Sequence, residues 1–145
     1  MNKQLALTLS LLFIISTLSL ANAVEEKPGV IRPANPVSKP NLVKAVMCED
    51  MKGTDPQYPA MVFSISLGKV FCFTDFDPVL EKTFVNHNWY FREQKRASVK
   101  LSLNSPRWAT FSTVQMRDTD KGPWRVEITD YKGNILKTLR FSMTD

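Results

Sequence analysis

The sequence predicts an all-β domain, an antiparallel immunoglobulin-like β-sandwich of seven to eight short strands in residues 42–145. Three observations predict this fold class. Apolar and polar residues alternate with a period of two, turn-forming residues recur roughly every ten positions, and no long stretch has the apolar stripe of a helix.

The predicted strands follow one another along the chain with short connections. They lie at residues 42–48, 62–66, 69–76, 84–91, 97–103, 108–116, 123–130 and 134–143. Val99, Leu101 and Leu103 alternate with polar neighbours in the fifth strand, which gives it one buried and one wet face. The seventh strand has the same alternation, and the second is interpreted either as a strand or as a short lead-in to the third.

Turn-forming residues separate the later strands. They cluster at residues 104–106, 118–122 and 130–134. Gly133 is predicted to take a positive φ in a hairpin loop, because glycine has no Cβ that would clash there. In the last strand Lys137 shares the predicted inward face with Leu139, so a β-bulge is expected near Leu136.

The N-terminal residues 1–23 have the three-part order of a secretory signal peptide. Lys3 precedes an apolar run at residues 5–20, and Ala21 and Ala23 supply the small residues of a cleavage site. Cleavage after Ala23 leaves a periplasmic or secreted protein with no membrane span. The alternative is a retained membrane anchor, since the apolar run approaches the length of a short spanning helix.

Residues 24–41 are predicted to form a flexible Pro-rich linker. The segment contains four prolines, scattered charges and few large apolar residues. Such a composition cannot bury enough apolar surface to order the chain, and it favours extended conformations. The remaining residues, 42–145, suffice for one domain with a single core.

The charge of the chain is mildly basic and spread along the sequence. The 145 residues carry 19 Lys and Arg against 14 Asp and Glu, a formal net charge of +5. A nucleic-acid-binding protein concentrates its basic residues on one face or along one helix. We therefore expect no nucleic-acid partner, and a cell-envelope protein or glycan instead.

Cys48 and Cys72 are the only cysteines of the chain. Two cysteines in a small exported domain are most often a disulfide, so the sequence predicts a structural bridge between Cys48 and Cys72. A metal site would need three or four ligands, and a nucleophilic cysteine would need a base and an orienting group. The sequence offers neither set, so no metal site and no catalytic cysteine are predicted.

Several short motifs follow one another in a characteristic order. They are Cys48, Asp55-Pro56, Phe63, GKVFCFT at 68–74, HNWY at 87–90, WATFS at 108–112, GPWRVE at 122–127, Gly133 with Leu136, and Arg140-Phe141. In this order they resemble the domain-of-unknown-function family 2914, over nearly all of residues 42–145. The chain departs from the family's pattern at Ala109 and Val114, where basic residues are usual. The resemblance implies a small exported or membrane-tethered bacterial domain with paired cysteines and no established activity.

His87, the only histidine, is interpreted as a structural residue. Its position in the strand 84–91 puts it on the same inward face as Val85 and Trp89. Nucleophilic catalysis would need further partners, and the sequence contains no second histidine and no serine in a Gly-x-Ser-x-Gly motif. No catalytic residue is predicted, and the protein is not expected to be an enzyme.

The loop at residues 118–122 resembles the start of a calcium-binding loop. Asp118 and Asp120 supply carboxylates at alternate positions, but Gly122 and Thr129 stand where an EF-hand needs an oxygen ligand and a glutamate. A polar loop between two strands explains these residues as well. Calcium binding remains an open alternative, and no cofactor is predicted.

Two carboxylate pairs have the residue types of a glycosidase acid and base, Glu49 with Asp50 and Asp75 with Asp77. Each pair lies near the end of a predicted strand, and the sequence implies no cleft around either. Both pairs are therefore interpreted as solvated surface residues.

The candidate binding surface consists of aromatic and arginine side chains. The tryptophans Trp89, Trp108 and Trp124 are predicted core residues, because large aromatics at strand positions usually pack inward. When Trp89 and Trp108 point inward, alternation turns Tyr90 and Phe111 outward. The predicted recognition face for a sugar or a protein consists of Tyr90, Arg92, Arg107 and Phe111.

The function predicted from these residues is that of a non-catalytic interaction or accessory module of the cell envelope. The alternative is a carbohydrate-binding module that recognises cell-wall glycan. A solvent-facing row of aromatic rings spaced like sugar units favours glycan binding, whereas a mixed apolar and polar patch favours a protein partner.

Overall fold

Residues 38–145, the part of the chain that the computed structural model describes, form two β-sheets and contain no α-helix. The nine strands are β1 (Leu42–Lys52), β2 (Asp55–Pro59), β3 (Val62–Ser64), β4 (Lys69–Phe76), β5 (Thr83–Phe91), β6 (Gln94–Leu103), β7 (Trp108–Gln115), β8 (Gly122–Thr129) and β9 (Ile135–Thr144). Single 3-10 turns lie at Ile65–Leu67 and Asp118–Asp120. The predicted signal peptide and nearly all of the predicted linker lie outside the described residues.

The strands are divided between a four-stranded sheet, in the order β2-β1-β4-β7, and a five-stranded sheet, in the order β3-β9-β8-β5-β6. The pairing of β3 with β9 is parallel, and the other ladders are antiparallel. The prediction of a purely antiparallel fold is therefore corrected. After β2 the chain leaves the first sheet and runs along the edge of the second in the same direction as β9.

β2 is a strand that the period-two pattern did not predict. Asp55-Pro56 and Pro59 at its ends have the composition of a loop, since proline cannot donate to a sheet ladder. The structure tolerates them because β2 is the outer strand of its sheet and pairs with β1 alone. The predicted stretch 62–66 is also corrected, to the three-residue strand β3 followed by a 3-10 turn.

One core fills the space between the inner faces of the two sheets. β4 contributes Val70, Cys72 and Phe76, and β8 contributes Val126 and Ile128. Trp89 lies among them, fully buried, with its ring edge-on to Phe141 at a centroid distance of 6.1 Å. A buried tryptophan is among the largest contributors of apolar surface to such a core.

Trp108 corrects the prediction that all three tryptophans are core residues. Trp89 and Trp124 are buried, but the side chain of Trp108 is 38% exposed. It is the first residue of β7, the outer strand of the four-stranded sheet, so no strand covers it on one side.

Two local predictions about the last hairpin are confirmed. Gly133 has a φ of +86° in the turn between β8 and β9, where its N–H donates to the carbonyl of Asp130 at 3.0 Å. The register of β9 against β8 shifts between Lys137 and Ile135, so Leu136 is the extra residue of a bulge. Lys137 and Leu139 both follow the bulge and share one face, opposite the core residues Ile128 and Val126, and Lys137 is exposed there whereas Leu139 is half-buried.

Candidate functional site

A buried polar cluster joins the two sheets around His87. Nδ1 of His87 is 2.8 Å from the Ser112 hydroxyl, and Nε2 is 3.3 Å from the Thr74 hydroxyl. The indole N–H of Trp89 donates to the same Ser112 oxygen at 3.1 Å, and the Thr74 hydroxyl donates to the carbonyl of Thr110 at 3.4 Å. His87 belongs to the five-stranded sheet, whereas Ser112 and Thr74 belong to the four-stranded sheet.

One arrangement of protons satisfies the whole cluster. Ser112 accepts from Trp89 and donates to Nδ1 of His87, and Nε2–H of His87 donates to Thr74. A second proton on the imidazole would leave the Ser112 hydroxyl hydrogen without an acceptor. The cluster therefore holds a neutral histidine in a single tautomer.

Burial lowers the pKa of His87 from 6.5 to about 4. The cause is loss of hydration of the charged form, because the side chain has no exposed surface. A group that no solvent reaches cannot exchange protons with a substrate. The structure thus places His87 in the interior as a residue that orients the two sheets.

The predicted disulfide is corrected, since Cys48 and Cys72 are both free thiols. Cys48 is paired with Phe71, and Cys72 with Met47, along the β1–β4 ladder. Directly opposed residues share a face of the sheet and successive residues alternate, so the two cysteines belong to opposite faces. Cys72 lies in the core, whereas Cys48 lies beneath Met51, with their sulfur atoms 3.6 Å apart.

Neither thiol has the surroundings of a nucleophile. Burial, with Asp50 nearby, raises the pKa of Cys48 to about 11, and burial also raises the pKa of Cys72. Reactive cysteines have lowered pKa values and some solvent access.

We expect the folded domain to resist alkylation and the unfolded domain to accept it. Iodoacetamide at pH 8 should leave the native protein unmodified over the time that labels a free thiol, because both cysteines are buried thiols with raised pKa values. In denaturant without reductant, mass spectrometry should find one alkyl group on each cysteine. An identical sample that is reduced first is the control. If the unreduced sample gains no alkyl group and the control gains both, the two cysteines are bridged.

The structure does not bring the four residues of the predicted binding surface together. Tyr90 lies on the outer face of the five-stranded sheet, beneath the guanidinium of Arg125 at 4.0 Å. Phe111 lies on the outer face of the four-stranded sheet, against Phe71. The alternation argument correctly turned both rings outward. It contained no information on which sheet each strand would join.

The two arginines of that surface are held by local contacts. Arg92 is in the hairpin turn between β5 and β6, where it and Glu93 both have positive φ values, and it donates to the carbonyl of Lys121. Arg107 precedes β7 and donates to both carboxylate oxygens of Asp75. Each guanidinium stabilises the backbone or carboxylate beside it, and the two lie with different sheets.

Three of the acidic residues considered for catalysis or calcium, Asp75, Asp77 and Asp120, have structural partners. Arg107 forms ion pairs with Asp75 at 2.5 Å and with Asp77 at 3.9 Å. In the 118–122 loop, the Asp120 carboxylate accepts from the backbone N–H of Arg117 at 2.9 Å. Across residues 38–145, no three His, Cys, Asp or Glu side chains are grouped so as to hold a metal ion.

A groove of about 610 Å³ opens between one edge of each sheet. It is lined by residues 45–47 of β1, residues 59–61 from the end of β2 to the start of β3, and residues 138–140 of β9. Most of these side chains are apolar, and Met61 at the rim is 76% exposed. A volume of this size is typical of ligand and peptide sites.

Both walls of the groove are strand edges with unused pairing capacity. In the described residues, β9 pairs with β3 only from Ser142 to Thr144, so residues 135–141 have β8 as their one strand partner. β1 pairs with β2 only from Cys48 onward, so residues 42–46 pair with β4 alone. The groove therefore combines an apolar lining with backbone groups that an added strand could reach.

The sequence interpretation did not predict this groove. Its walls come from segments far apart in the chain, and one of them follows β2, the strand that the alternation pattern missed. The exposed pair Met61-Val62, just after the proline-bounded segment 56–59, is the sequence signal that could have indicated it. No helix among residues 38–145 has the length and hydropathy that a membrane crossing requires.

Comparison with known proteins identifies one matching family. Its model, described as "Protein of unknown function (DUF2914)", matches residues 82–143. The predicted resemblance is confirmed over this segment, which runs from β5 to β9. The motifs around Cys48 and Cys72 lie before it. No curated protein matches the chain.

Proposed function

We propose that this chain, whose residues 82–143 match a protein family of unknown function, is a non-catalytic interaction module of the cell envelope. The observation that carries the proposal is the groove between β1 and β9. It is apolar, open and bordered by strand edges, which are properties of peptide-docking sites. The predicted export signal at residues 1–23 supports a periplasmic or secreted location for this activity.

The chemistry of the groove supports binding rather than catalysis. Among the residues of 38–145 that line it, Arg140 is the only ionisable one, and Thr138 supplies the only side-chain hydroxyl. General acid–base or nucleophilic catalysis needs at least two such groups in mutual reach. His87 and the two cysteines, which were considered as a base and as nucleophiles, are buried, and the carboxylates of Asp75 and Asp77 form ion pairs with Arg107.

The alternative, binding of cell-wall glycan, has less support. Phe71, Phe73 and Phe111 line the outer face of the four-stranded sheet, where they would have to form a platform for sugar rings. Only Phe111 is exposed, whereas Phe71 and Phe73 are 6% and 3% exposed. One accessible ring offers a single stacking position, which favours a protein partner over a glycan chain.

The strand order supports an immunoglobulin-like plan for this module. β1, β4 and β7 correspond to strands A, B and E of that fold, and β5, β8 and β9 correspond to C, F and G. Trp89 then takes the place of the buried strand-C tryptophan, and Cys72 that of the strand-B cysteine. Strand F has the aliphatic residues Val126 and Ile128 on its inner face, which agrees with a free Cys72.

We expect a photo-crosslinking amino acid at position 61 to capture a protein in cells that express the full chain. Met61 stands exposed at the rim of the groove, so the probe needs no change in the core. Position 82, an exposed lysine in the loop before β5, is the matched control. A discrete adduct on gels from position 61 alone is the expected result. The proposal fails if neither position gives an adduct or if both give the same set.

A further inference from the structure

We propose that the groove binds an extended, acidic segment of a partner protein, which adds as a strand to the free edge of β9. The inference rests on the proposed function and names the chemistry of its partner. Free backbone groups supply affinity in strand addition, and side chains on the two faces supply specificity.

The backbone of β9 presents donors and acceptors to the groove. The N–H of Ser142 donates to the carbonyl of Met61 at 2.9 Å, so the backbone groups of Ser142 point away from β8. Because these directions alternate along a strand, those of Thr138 and Arg140 point the same way. No hydrogen bond within residues 38–145 occupies them, and they are part of the groove lining.

The facing edge of β1 has the same property. The carbonyl of Met47 accepts from the N–H of Ala60 at 3.2 Å, so the backbone groups of Met47 point away from β4. Because these directions alternate along a strand, the backbone N–H and C=O of Ala45 also point away from β4. β2 does not extend as far as Ala45, so no strand in the described part of the chain pairs with these groups. An inserted segment would thus lie between two edges, at the place where both sheets lack a strand.

Side chains beside β9 determine which residues the added strand should carry. Leu139 is opposite Val126, which belongs to the core, so Leu139 faces the groove interior. Arg140 is opposite Arg125 on the outer face and is exposed. Residues opposite each other on neighbouring strands share a face. A segment that alternates apolar and acidic residues would therefore place an apolar side chain beside Leu139 and a carboxylate beside Arg140.

The charges around the groove favour an acidic partner over a second copy of this chain. Arg140 lines the groove, and Lys44 and Lys137 adjoin its lining along β1 and β9. All three are exposed, Lys44 with its ammonium over the Phe73 ring, and none of them forms an ion pair within the described residues. A second copy that paired along β9 would bring the same cations together, which destabilises an edge-to-edge contact. A segment with carboxylates neutralises them instead.

The test uses three fluorescent nine-residue peptides and the whole chain, with binding measured by fluorescence anisotropy. The first peptide is Thr-Val-Glu-Val-Thr-Val-Glu-Val-Thr, and the second has lysine in place of both glutamates. The third repeats the first with every second backbone amide N-methylated. The acidic peptide should bind on the order of tenfold more tightly than the lysine peptide, because a like-charge contact replaces an attractive one. The N-methylated peptide should not bind, since strand addition needs its amides.

Two protein variants locate the site. Arg140→Glu should reverse the preference toward the lysine peptide, whereas Lys95→Glu, at an exposed position on β6, should not change it. Thr138→Pro removes an N–H that points into the groove without removing one from the β8 ladder, so it should abolish binding. Thr138→Val should retain binding. Thermal melting of each variant separates loss of binding from loss of folding, and the N-methylated peptide tests the backbone contact even if Thr138→Pro unfolds.

The inference is overturned if no peptide binds or if the acidic and basic peptides bind with equal affinity. It is also overturned if neither Arg140→Glu nor Thr138→Pro changes the binding. It is also overturned if sedimentation shows a dimer that Arg140→Glu or Thr138→Pro dissociates, since the occupant is then a second copy. An adduct from position 61 without binding of any of these peptides removes this inference alone and leaves the proposed function standing. Absence of the adduct removes the proposed function itself.

Discussion

Replacing Trp89 by alanine is expected to lower the free energy of unfolding by about 3 to 5 kcal/mol, the usual range for a large aromatic residue in a packed core. Trp89 has no exposed surface, contacts Phe141 and donates its indole N–H to Ser112. The substitution removes the ring, leaves a cavity and withdraws a donor from the cluster that joins the sheets. Urea unfolding followed by far-ultraviolet circular dichroism measures the loss.

Trp108→Ala is the matched control, because it removes the same side chain from a half-exposed position. We expect it to cost roughly 1 to 2 kcal/mol, since an open position leaves no closed cavity. Trp89→Phe separates the two contributions at the core position: it keeps most of the ring and loses the hydrogen bond, worth about 1 kcal/mol. Equal losses from Trp89→Ala and Trp108→Ala would contradict the placement of Trp89 at the centre of the core.

The stability of the domain should fall as the pH falls from 6.5 to 4. The pKa of His87 is about 4 in the folded state, against 6.5 for an ordinary histidine. Between these values the unfolded chain binds a proton that the folded chain excludes, so acid favours unfolding. A shift of this size corresponds to about 3 kcal/mol of stability, which is fully present above pH 6.5 and is lost progressively as the pH falls to 4. Urea unfolding at intervals of pH measures the slope.

His87→Gln is the control for this window. Glutamine does not titrate, so the slope between pH 6.5 and 4 should disappear even if the variant is less stable throughout. Asp130 acts in a different window: burial opposes its ionisation, but hydrogen bonds from Asn134 and Lys132 lower its pKa below 3.8. Its contribution is therefore lost only below that pH. A wild-type slope that persists in His87→Gln would show that another group carries the dependence.

The sequence by itself determined most strands and the direction of side chains within them. Alternation in a strand assigns each residue to one of two faces, and that is a local property. It placed His87 and Trp89 inward, turned Tyr90 and Phe111 outward, and located the bulge at Leu136. The matching family over residues 82–143 was also evident from short motifs in their order.

Tertiary structure alone decided which strand lies beside which, and in what register. The offset between β1 and β4 put Cys48 and Cys72 on opposite faces, so two cysteines that the sequence predicted to be bridged are free. A shift of one residue reverses the face of every side chain, and nothing in either strand alone specifies that shift.

The candidate site depended on tertiary structure for the same reason. Tyr90 and Phe111 face outward from different sheets, and Trp108 is half-exposed because its strand is at an edge. The groove exists because β2 and β3 each cover only part of a neighbouring strand, which leaves two edges facing each other. Such edges depend on how distant segments of the chain pair. The period-two pattern shows only which side chains of one strand are buried, and it does not show which strand lies beside it.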